Sequence, residues 1–559
     1  MKPIIYQVFP RWFTNTVTNP VPDGDISQNG CGKLNHFTPT LLRAIRNLGV
    51  THIWYTGIIE HATATSYEQF GIKSSTPSVV KGKAGSPYAI RDYYDIDPDL
   101  AEDVPGRMKE FEKLVLRTHE DGLKVILDFV PNHVAREYFS DAKPRGTEDF
   151  GAHDNTDVAF SPDNSFYYMP GQEFISPTGA NDYREFPAKA TGNDCFTAAP
   201  SVNDWYETVK LNYGIDYRDG SQHFSPIPAT WQKMLHILRY WAKKGVDAFR
   251  CDMAFMVPLE FWHWATEQIK KEFPSIQFIA EIYDTGLYRP FIEYGGFDYL
   301  YDKVTLYDTL CAILRGNAPA SAITSCWQTV DGINSHMLHF LENHDELRLA
   351  SSQFMGSAME TLPALIVSAT ISSAPFMIYA GQELGENAPD AEGFSGHDGR
   401  TSIFDYWSIP SLRRWYNGGK CNSSRLLKQE KSLRKTYKKV LNLCNTEKAV
   451  ACGQFYDLMY VNYNNLDPRF HYVYLRHFKD ETILIAVNFS NNAAELNINI
   501  PRHAFDFLKI AEGKYPATEL LTEEKAQLTI SSTRQIPVTI RPHGAVMWKF
   551  ENCGNFSSK

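Results

Sequence analysis

The chain has 559 residues, of which 43% are hydrophobic and 21% are charged, proportions that are typical of a globular protein. Its formal charge of −10 argues against a nucleic-acid-binding surface, which needs a basic face. No apolar run approaches the ~20 residues of a membrane helix, so we expect neither a membrane nor a nucleic-acid partner. The chain is too long for one core and predicts two or three domains.

Nine cysteines are scattered from Cys31 to Cys553 without a CxxC pair. An odd, irregular set is typical of free thiols in a reducing compartment. The first residues, from Met1 to Tyr6, lead directly into a strand-like segment, and no signal peptide is visible there. We therefore predict a cytoplasmic protein, while a trimmed secreted form would look the same.

Strand-like and helix-like segments alternate through most of the chain. The predicted strands are residues 4–9, 51–55, 124–130, 245–252, 277–282, 297–301, 337–341 and 376–379. The predicted helices are residues 40–48, 106–120, 230–244, 260–272, 361–372 and 426–444. This alternation indicates parallel βαβ units. Eight strands over ~400 residues predict a closed (β/α)₈ TIM barrel, and an open doubly wound sheet is the alternative.

Three stretches depart from the alternation. Residues 86–98 are predicted to lie in a loop after the second strand. Residues 131–224 are rich in Gly, Pro, Asn, Asp and aromatics, and an irregular stretch of this length indicates a functional insertion. Beyond about residue 447, short alternating runs predict an all-β sandwich. The predicted domains are therefore a catalytic barrel (1–130 and 225–446), an insertion subdomain (131–224) and a C-terminal β-sandwich (447–559).

The stretch 245–252 (GVDAFRCD) combines an apolar strand with two charged residues at its end. Arg250 and Asp252 are two residues apart and so point to the same side of a strand. A nearby cation favours the ionised carboxylate and offsets part of its desolvation. An ionised Asp held at a strand end suits a carboxylate nucleophile, although a buried structural ion pair would look the same.

Polar and acidic side chains recur at the C-terminal ends of four predicted strands, which is where the active sites of such barrels lie. They are Asp128, Asn132 and His133 after the third strand, Arg250 and Asp252 after the fourth, Glu281 after the fifth, and His344 and Asp345 after the seventh. A single residue of this kind could be a helix cap. Four groups at one rim predict an active site.

These blocks resemble the signature regions of the α-amylase family of retaining glycoside hydrolases. The best fits are residues 128–133 (DFVPNH), 250–252 (RCD) and 343–345 (NHD). Tyr88 with the pair at 92–93 is similar to the family's tyrosine block, and residues 6–13 (YQVFPRWF) are similar to its opening strand. The resemblance covers the barrel, the insertion and the C-terminal β domain.

The resemblance implies that Asp252 is the nucleophile, Glu281 the general acid/base, and Asp345 a ligand of the sugar hydroxyls. Retention needs two carboxyl groups ~5–5.5 Å apart, and neighbouring strands lie ~4.8 Å apart. Arg250 should keep Asp252 ionised. Because Glu281 has acidic neighbours and no cation in its motif, we expect it to hold its proton to higher pH.

The substrate-binding residues implied by the resemblance are Tyr88, which would stack beneath the sugar, His133 and His344, which would hydrogen-bond it, and Arg250. Where many family members have Lys-His shortly after the nucleophile, this chain has Phe255 and Met256. Those positions usually meet the leaving-group sugars, so we expect the acceptor side of the site to be more apolar.

The resemblance raises the question of a structural calcium ion, and it implies no organic cofactor. The family often binds calcium through the motif Asn, an Asp of the insertion and a backbone carbonyl. Asn132 is present, but the insertion has many candidate Asp residues. The sequence therefore leaves both a calcium-bound and a calcium-free protein open.

We predict an enzyme that cleaves α-1,4-glucosidic bonds in starch-like α-glucan or maltooligosaccharide substrates with retention. A transglycosylase, which passes the glycosyl group to a sugar instead of water, is the alternative, and Phe255 and Met256 keep it open. A catalytically inactive binding relative is disfavoured because all three acids are present. The oligomeric state is not determined by the sequence.

Overall fold

The structure is a computed structural model that describes residues 2–551. Eight parallel strands close into a barrel, and β1 pairs with both β2 and β8. The strands are β1 (Ile4–Val8), β2 (His52–Tyr55), β3 (Lys124–Phe129), β4 (Ala248–Cys251), β5 (Gln277–Ala280), β6 (Tyr299–Tyr301), β7 (Met337–Phe340) and β8 (Phe376–Tyr379). The predicted (β/α)₈ barrel is confirmed, and the open sheet is excluded.

The longer helices include counterparts of all six predicted ones and several that were missed. They are Pro39–Arg46, Arg107–Glu120, Ala229–Lys243, Leu259–Glu272, Thr285–Glu293, Asp308–Leu314, Ile323–Thr329, Leu362–Thr370, Pro410–Tyr416 and Lys428–Thr446. Helices of four or five residues span Pro10–Phe13, Ile26–Asn29, Lys448–Cys452 and Met459–Asn462. Thr285–Glu293 was missed because Pro290 lies inside it, and proline usually ends a helix. No helix among the described residues is long and apolar enough to cross a membrane.

The barrel strands divide their side chains between two apolar clusters. Ala248 of β4 belongs to the cluster inside the barrel, whereas Phe249 and Cys251 pack with the larger core beneath the helices. Because strand side chains alternate, Arg250 shares the inward direction of Ala248. The alternation that buries the strand on both faces therefore carries one charged group into the barrel.

The segment predicted as a loop at 86–98 is partly a strand, so that prediction is wrong. Ile90–Ile96 is buried throughout and pairs antiparallel with Ile59–His61 through irregular register shifts. Three charged residues, one basic and two acidic, interrupt its apolar pattern, and buried strands usually have few charges. The segment was missed for that reason.

Between β3 and the helix Ala229–Lys243, the chain contains only short strands. They are His133–Ala135, Tyr168–Met169, Ala188–Lys189, Thr208–Lys210, Ile215–Asp216 and Ser221–Gln222. His133–Ala135 pairs antiparallel with Thr208–Lys210, which ties the far end of the insertion to the rim of β3. The domain boundaries at 131 and 224 remain a prediction.

The C-terminal part forms two antiparallel sheets, as the predicted β-sandwich requires. The strands are β9 (Gln454–Asp457), β10 (His471–Phe478), β11 (Glu481–Asn488), β12 (Ala494–Ile498), β13 (Gly513–Glu519), β14 (Lys525–Ile530), β15 (Ile536–Ile540) and β16 (Gly544–Glu551). Their order is β9-β10-β11-β16-β13-β14 in one sheet and β12-β15 in the other. A helix at Arg502–Leu508 lies between β12 and β13.

The eight cysteines within the described residues form no disulfide, and Cys553 lies outside those residues. The predicted set of free thiols is therefore supported for that part of the chain. The cytoplasmic location that was inferred from it stays a prediction.

A buried arginine joins the barrel to the C-terminal sheet. Arg476 of β10 is 1% exposed and donates to the backbone oxygens of Ile371, Ala449, Val450 and Gly453. Burial lowers the pKa of this guanidinium to about 10. These carbonyls come from two segments, the end of the helix Leu362–Thr370 and the region of Lys448–Cys452, so one side chain satisfies polar groups that would otherwise be buried without partners.

We expect the substitution Arg476→Met to lower the free energy of unfolding by about 3 kcal/mol, because it leaves several buried carbonyls unsatisfied. Urea unfolding followed by circular dichroism measures the change. Arg469→Met, which alters a side chain that is 72% exposed, is the matched control and should cost less than about 1 kcal/mol. Equal losses in the two variants would contradict this account of the joint.

Candidate active site

Arg250 is the centre of a cluster of carboxylates at the C-terminal end of the barrel strands. Its side chain is 1% exposed. Nη1 lies 2.8 Å from Asp252 Oδ1 and 3.4 Å from Asp128 Oδ1, and Nη2 lies 2.8 Å from Glu281 Oε2. One guanidinium therefore holds Asp252 and Glu281 side by side, on neighbouring strand ends.

Glu281 has no cation in its own motif, but Arg250 lies beside it in the folded chain. Arg250 reaches Glu281 from the adjacent strand β4, a contact that sequence spacing does not reveal. Glu281 Oε2 also accepts a hydrogen bond from the backbone N–H of Met253 at 2.8 Å, and the Tyr283 hydroxyl lies 2.5 Å from Oε1. Met253 has φ of 43°, a left-handed conformation that is costly for a non-glycine residue and common at active sites.

The acidic cluster exceeds the charge of its single cation. Burial and the neighbouring Glu281 raise the pKa of Asp252 well above its usual value, and Arg250 opposes this shift. Burial also raises the pKa of Asp128 to about 7, although Arg250 and the Trp54 indole N–H, 2.9 Å from Oδ2, favour its ionised form. Neighbouring carboxylates in such a site tend to share a proton.

His344, which follows β7, contacts three polar side chains. Its Nδ1 is 2.9 Å from Gln7 Nε2, and its Nε2 is 2.5 Å from the Tyr88 hydroxyl and 3.1 Å from Asp345 Oδ2. The Tyr88 and His344 rings stack with their centroids 5.1 Å apart. Burial and the charge of Arg250 lower the pKa of His344 to about 3, so the imidazole is neutral near pH 7.

His133 lies on the side of the insertion. Its ring is 5.2 Å from that of Trp205, and its Nδ1 is 3.1 Å from Asn132 Nδ2. Burial, Lys210 and Lys81 lower the pKa of His133 to about 3, which keeps this imidazole neutral as well. The site therefore offers two neutral histidines as hydrogen-bonding groups.

These residues surround a cleft of about 560 Å³, a size that is common for small-molecule sites. Of the residues predicted from the sequence, Tyr88, His133, Asp252, Glu281, His344 and Asp345 line it. Arg250 and Asn132 are buried behind the wall. Phe255 and Met256 are half-buried and are not among the described lining residues; the Phe255 ring instead packs 6.1 Å from that of Tyr283.

Several lining residues were missed by the sequence reasoning. They are Lys81, Ser86, Trp205, Glu207, Thr208, Met253, Tyr283, Lys303, Val304, Glu346, Ile403 and Phe404. Tyr283, Met253 and Glu346 are close to motif residues in the chain, and that adjacency was a usable signal. Trp205 and Phe404 lie in irregular segments far from any motif, so nothing local marked them.

Asn132 does not fit the calcium site that the resemblance implies. Its Oδ1 accepts a hydrogen bond from Lys210 Nζ at 2.6 Å, and its Nδ2 donates to the Gly192 carbonyl at 2.7 Å. The Lys210 ammonium also lies 2.6 Å from Asp194 Oδ1. A lysine side chain thus already places a positive charge against the oxygens that a calcium ion would need.

A separate group of acidic side chains could hold a metal ion. Glu60, Asp92, Asp95 and Asp141 each offer an oxygen, and these atoms lie within 4.8 Å of one another. Asp95 is already paired with Arg107. The group lies on the strand pair Ile59–His61 and Ile90–Ile96 and the segment beside it, and it shares no residue with the lining of the cleft.

Comparison with known proteins identifies the family. A family model described as the catalytic domain of α-amylase matches residues 7–283. The chain belongs to the α-amylase family of glycoside hydrolases. The match includes Asp252 and Glu281 together with β2 to β5 and the end of β1.

Individual relatives of this α-amylase family enzyme have low sequence identity to it, but the similarity extends over most of the chain. Alpha-amylase 3 of Dictyoglomus thermophilum is 23% identical over 537 residues, which are 93% of this chain and 91% of that protein. A cyclomaltodextrinase of Geobacillus thermopakistaniensis is 23% identical over 571 residues, which are 98% of this chain and 76% of that protein. The solved structure of the α-amylase of Geobacillus thermoleovorans, complexed with acarbose, has a TM-score of 0.64 at 19% identity, covering 99% of this chain and 98% of that one.

The neutral histidines make a testable contribution to acid sensitivity. The pKa of His344 is 6.5 in its ordinary state and about 3 here, so between these values the unfolded chain binds a proton that the folded chain does not. Stability should therefore fall as pH decreases through this window, by about 1.4 kcal/mol per pH unit for each such histidine.

We expect His344→Gln to reduce the slope of unfolding free energy against pH by about that amount, as measured by urea titrations across the window. His153→Gln, at a side chain that is 77% exposed, is the control. An unchanged slope in His344→Gln would show that the imidazole is protonated in the folded enzyme.

Proposed function

We propose that this enzyme hydrolyses α-1,4-glucosidic bonds in starch-like or maltooligosaccharide substrates with retention, using Asp252 as nucleophile and Glu281 as general acid/base. The single observation that carries the proposal is that Arg250 holds both carboxylates at 2.8 Å. A retaining mechanism needs two carboxyl groups close enough to act on one glycosidic bond. Because both carboxylates contact the same guanidinium, they lie near each other at the lining of the cleft.

The proposed reaction has two steps. In the first, a carboxylate oxygen of Asp252 attacks the anomeric carbon while Glu281 gives its proton to the departing glycosidic oxygen, which forms a covalent glycosyl ester. In the second, Glu281 takes a proton from water, which attacks the same carbon and releases Asp252. The net result is cleavage of one acetal by one water with retained configuration.

Arg250 and Tyr283 would distribute the single proton between the two acids. Arg250 compensates the negative charge of Asp252, whose pKa would otherwise rise further in this buried site. The Tyr283 hydroxyl donates a hydrogen bond to Glu281 Oε1, and this bond would stabilise Glu281 when it is ionised and acts as the base. The reactive form has the proton on Glu281 and the charge on Asp252.

The remaining groups would hold the sugar in the cleft. Asp345 is 45% exposed at its side chain and offers carboxylate oxygens to hydroxyl donors. His133 and His344, both neutral, offer hydrogen bonds from opposite walls. The Tyr88 ring, already stacked on His344, provides an apolar face at the base of the site.

Transglycosylation is a second candidate for the same residues. The half-buried Phe255 packs near Tyr283, and the cleft wall also includes Trp205 and Phe404. Aromatic surfaces beside the leaving group favour binding of an acceptor sugar over water. The similarity to proteins named α-amylase and cyclomaltodextrinase supports hydrolysis of α-glucans as the main activity.

We expect Asp252→Asn to abolish turnover of starch and of maltosyl fluoride, because both reactions need the nucleophile. Glu281→Gln should slow starch hydrolysis by about 10²–10⁴-fold and retain glycosylation by maltosyl fluoride, whose leaving group needs no proton. Initial rates and mass spectrometry of a trapped glycosyl-enzyme measure both effects.

Asp506→Asn and Glu293→Gln, at side chains 60% and 64% exposed, are matched controls that should keep full activity. Circular dichroism establishes that each variant is folded. Wild-type hydrolysis by Asp252→Asn would rule out double displacement through this residue.

Incubation with maltoheptaose distinguishes hydrolysis from transfer. We expect mainly shorter maltooligosaccharides, with a small fraction of longer chains at high substrate concentration, because water competes with bound sugar for the intermediate. Chromatography of the products over time measures this ratio. A majority of products longer than the input would identify a transglycosylase.

A further inference from the structure

The side chain of Lys210 occupies a pocket of oxygens where three segments meet. It is 2% exposed at its side chain. Its Nζ lies 2.6 Å from Asn132 Oδ1, 2.6 Å from Asp194 Oδ1 and 3.4 Å from the backbone oxygen of Met256. An amide, a carboxylate and a carbonyl oxygen are hard ligands of the type that calcium prefers, and an ammonium group has three donors for the same three acceptors.

The three acceptors belong to parts of the chain that are far apart in sequence. Asn132 follows β3, Asp194 lies in the insertion, and Met256 is in the turn after the proposed nucleophile Asp252. Asp194 has φ of 60°, a left-handed conformation that is uncommon for a non-glycine residue. The loop is thus shaped to bring this carboxylate inward to the lysine.

The same contact extends to the wall of the cleft. Asn132 connects Lys210 to His133 and to the carbonyl of Gly192. A Cβ at Gly192 would lie 2.9 Å from His133 Cβ and 2.6 Å from Thr208 Oγ1, so the insertion packs against the histidine as closely as a glycine allows. Displacement of the lysine would therefore move His133 and the turn after Asp252 together.

We propose that Lys210 is an internal cation that replaces a calcium ion at this joint, so that the insertion is held on the barrel without metal. A calcium ion would need the positions that the ammonium occupies, and like charges exclude each other in a buried site. Lys210 is a positioning residue, because it reaches the substrate cleft only through Asn132, Met256 and the strand Thr208–Lys210.

The wild-type enzyme tests the proposal first. After dialysis against EDTA, the melting temperature, the starch-hydrolysing activity and the rate of limited proteolysis within residues 131–224 should equal those in millimolar calcium. Faster cleavage of the insertion after chelation, reversed by calcium, would overturn the proposal. Loss of activity with an intact, protease-resistant insertion would concern the catalytic residues and leave this joint unaffected.

Two substitutions distinguish the effect of the Lys210 charge from the effect of the volume that its side chain fills. Lys210→Met keeps most of the length of the side chain and removes the charge, so the Asp194 carboxylate loses the ammonium beside it. We expect a melting temperature lower by a few degrees, faster cleavage of the insertion and a kcat reduced by up to about 10²-fold, with no response to calcium. Lys210→Ala removes the side chain and leaves the three oxygens facing a space, so calcium should raise its melting temperature and restore part of kcat.

The double variant Lys210→Ala, Asp194→Ala lacks the carboxylate ligand and should lose the calcium response. Lys189→Met is the matched control in the same insertion, at a side chain that is 19% exposed, and should behave as wild type. Calcium bound at the separate group of Glu60, Asp92, Asp95 and Asp141 would act equally on Lys210→Met and Lys210→Ala, so the difference between these two variants reports the Lys210 pocket.

Either of two results would contradict the proposal. One is a Lys210→Met enzyme with the proteolysis pattern and kcat of the wild type. The other is a folded Lys210→Ala enzyme that responds to calcium no more than Lys210→Met does. If neither variant folds, the comparison of chelated and calcium-loaded wild type decides the question.

Discussion

The arrangement of the catalytic end depends on a single buried guanidinium shared by two carboxylates. Arg250 is carried into the barrel by the same alternation that buries Phe249 and Cys251 beneath the helices. At that position it reaches Asp252 on its own strand and Glu281 on the next. Taking several carboxylates out of water with one cation is costly, and the cost appears as the raised pKa of Asp252 and Asp128. Excess negative charge in a buried site favours a form of the cluster in which a carboxyl group keeps its proton.

The two histidines of the cleft are kept uncharged in the folded protein. Burial and nearby cations keep His133 and His344 neutral, so they add hydrogen bonds without adding charge. Tyr88 stacks on His344 and also lies 5.5 Å from the Arg250 guanidinium across its ring face. The proposed nucleophile and acid therefore lie near neutral imidazole rings, and Arg250 is the cation that contacts both of them.

Residues of the insertion line one side of the cleft. The insertion is attached to the barrel by a buried cationic side chain that contacts oxygens from separate segments, and the C-terminal sheet is attached in the same way. Lys210 does this between β3, the insertion and the turn after β4. Arg476 does it between the barrel and the C-terminal sheet. In both places the cation that holds the segments together is a side chain of the protein. The packing of the backbone that carries this side chain fixes the position of the cation.

The sequence by itself determined the eight strands, the six principal helices, the end of the barrel at which the polar groups gather and the family. These features have local causes, since hydrophobic periodicity reports which face of an element is buried and motif residues lie at fixed distances from strand ends. Only the tertiary structure decided that Arg250 contacts Glu281, that Ile90–Ile96 is a strand, that Trp205 and Phe404 line the cleft, and that Lys210 meets Asn132. Each of these depends on residues from separate segments meeting in space, and a contact of that kind leaves no periodic or compositional signal in either segment.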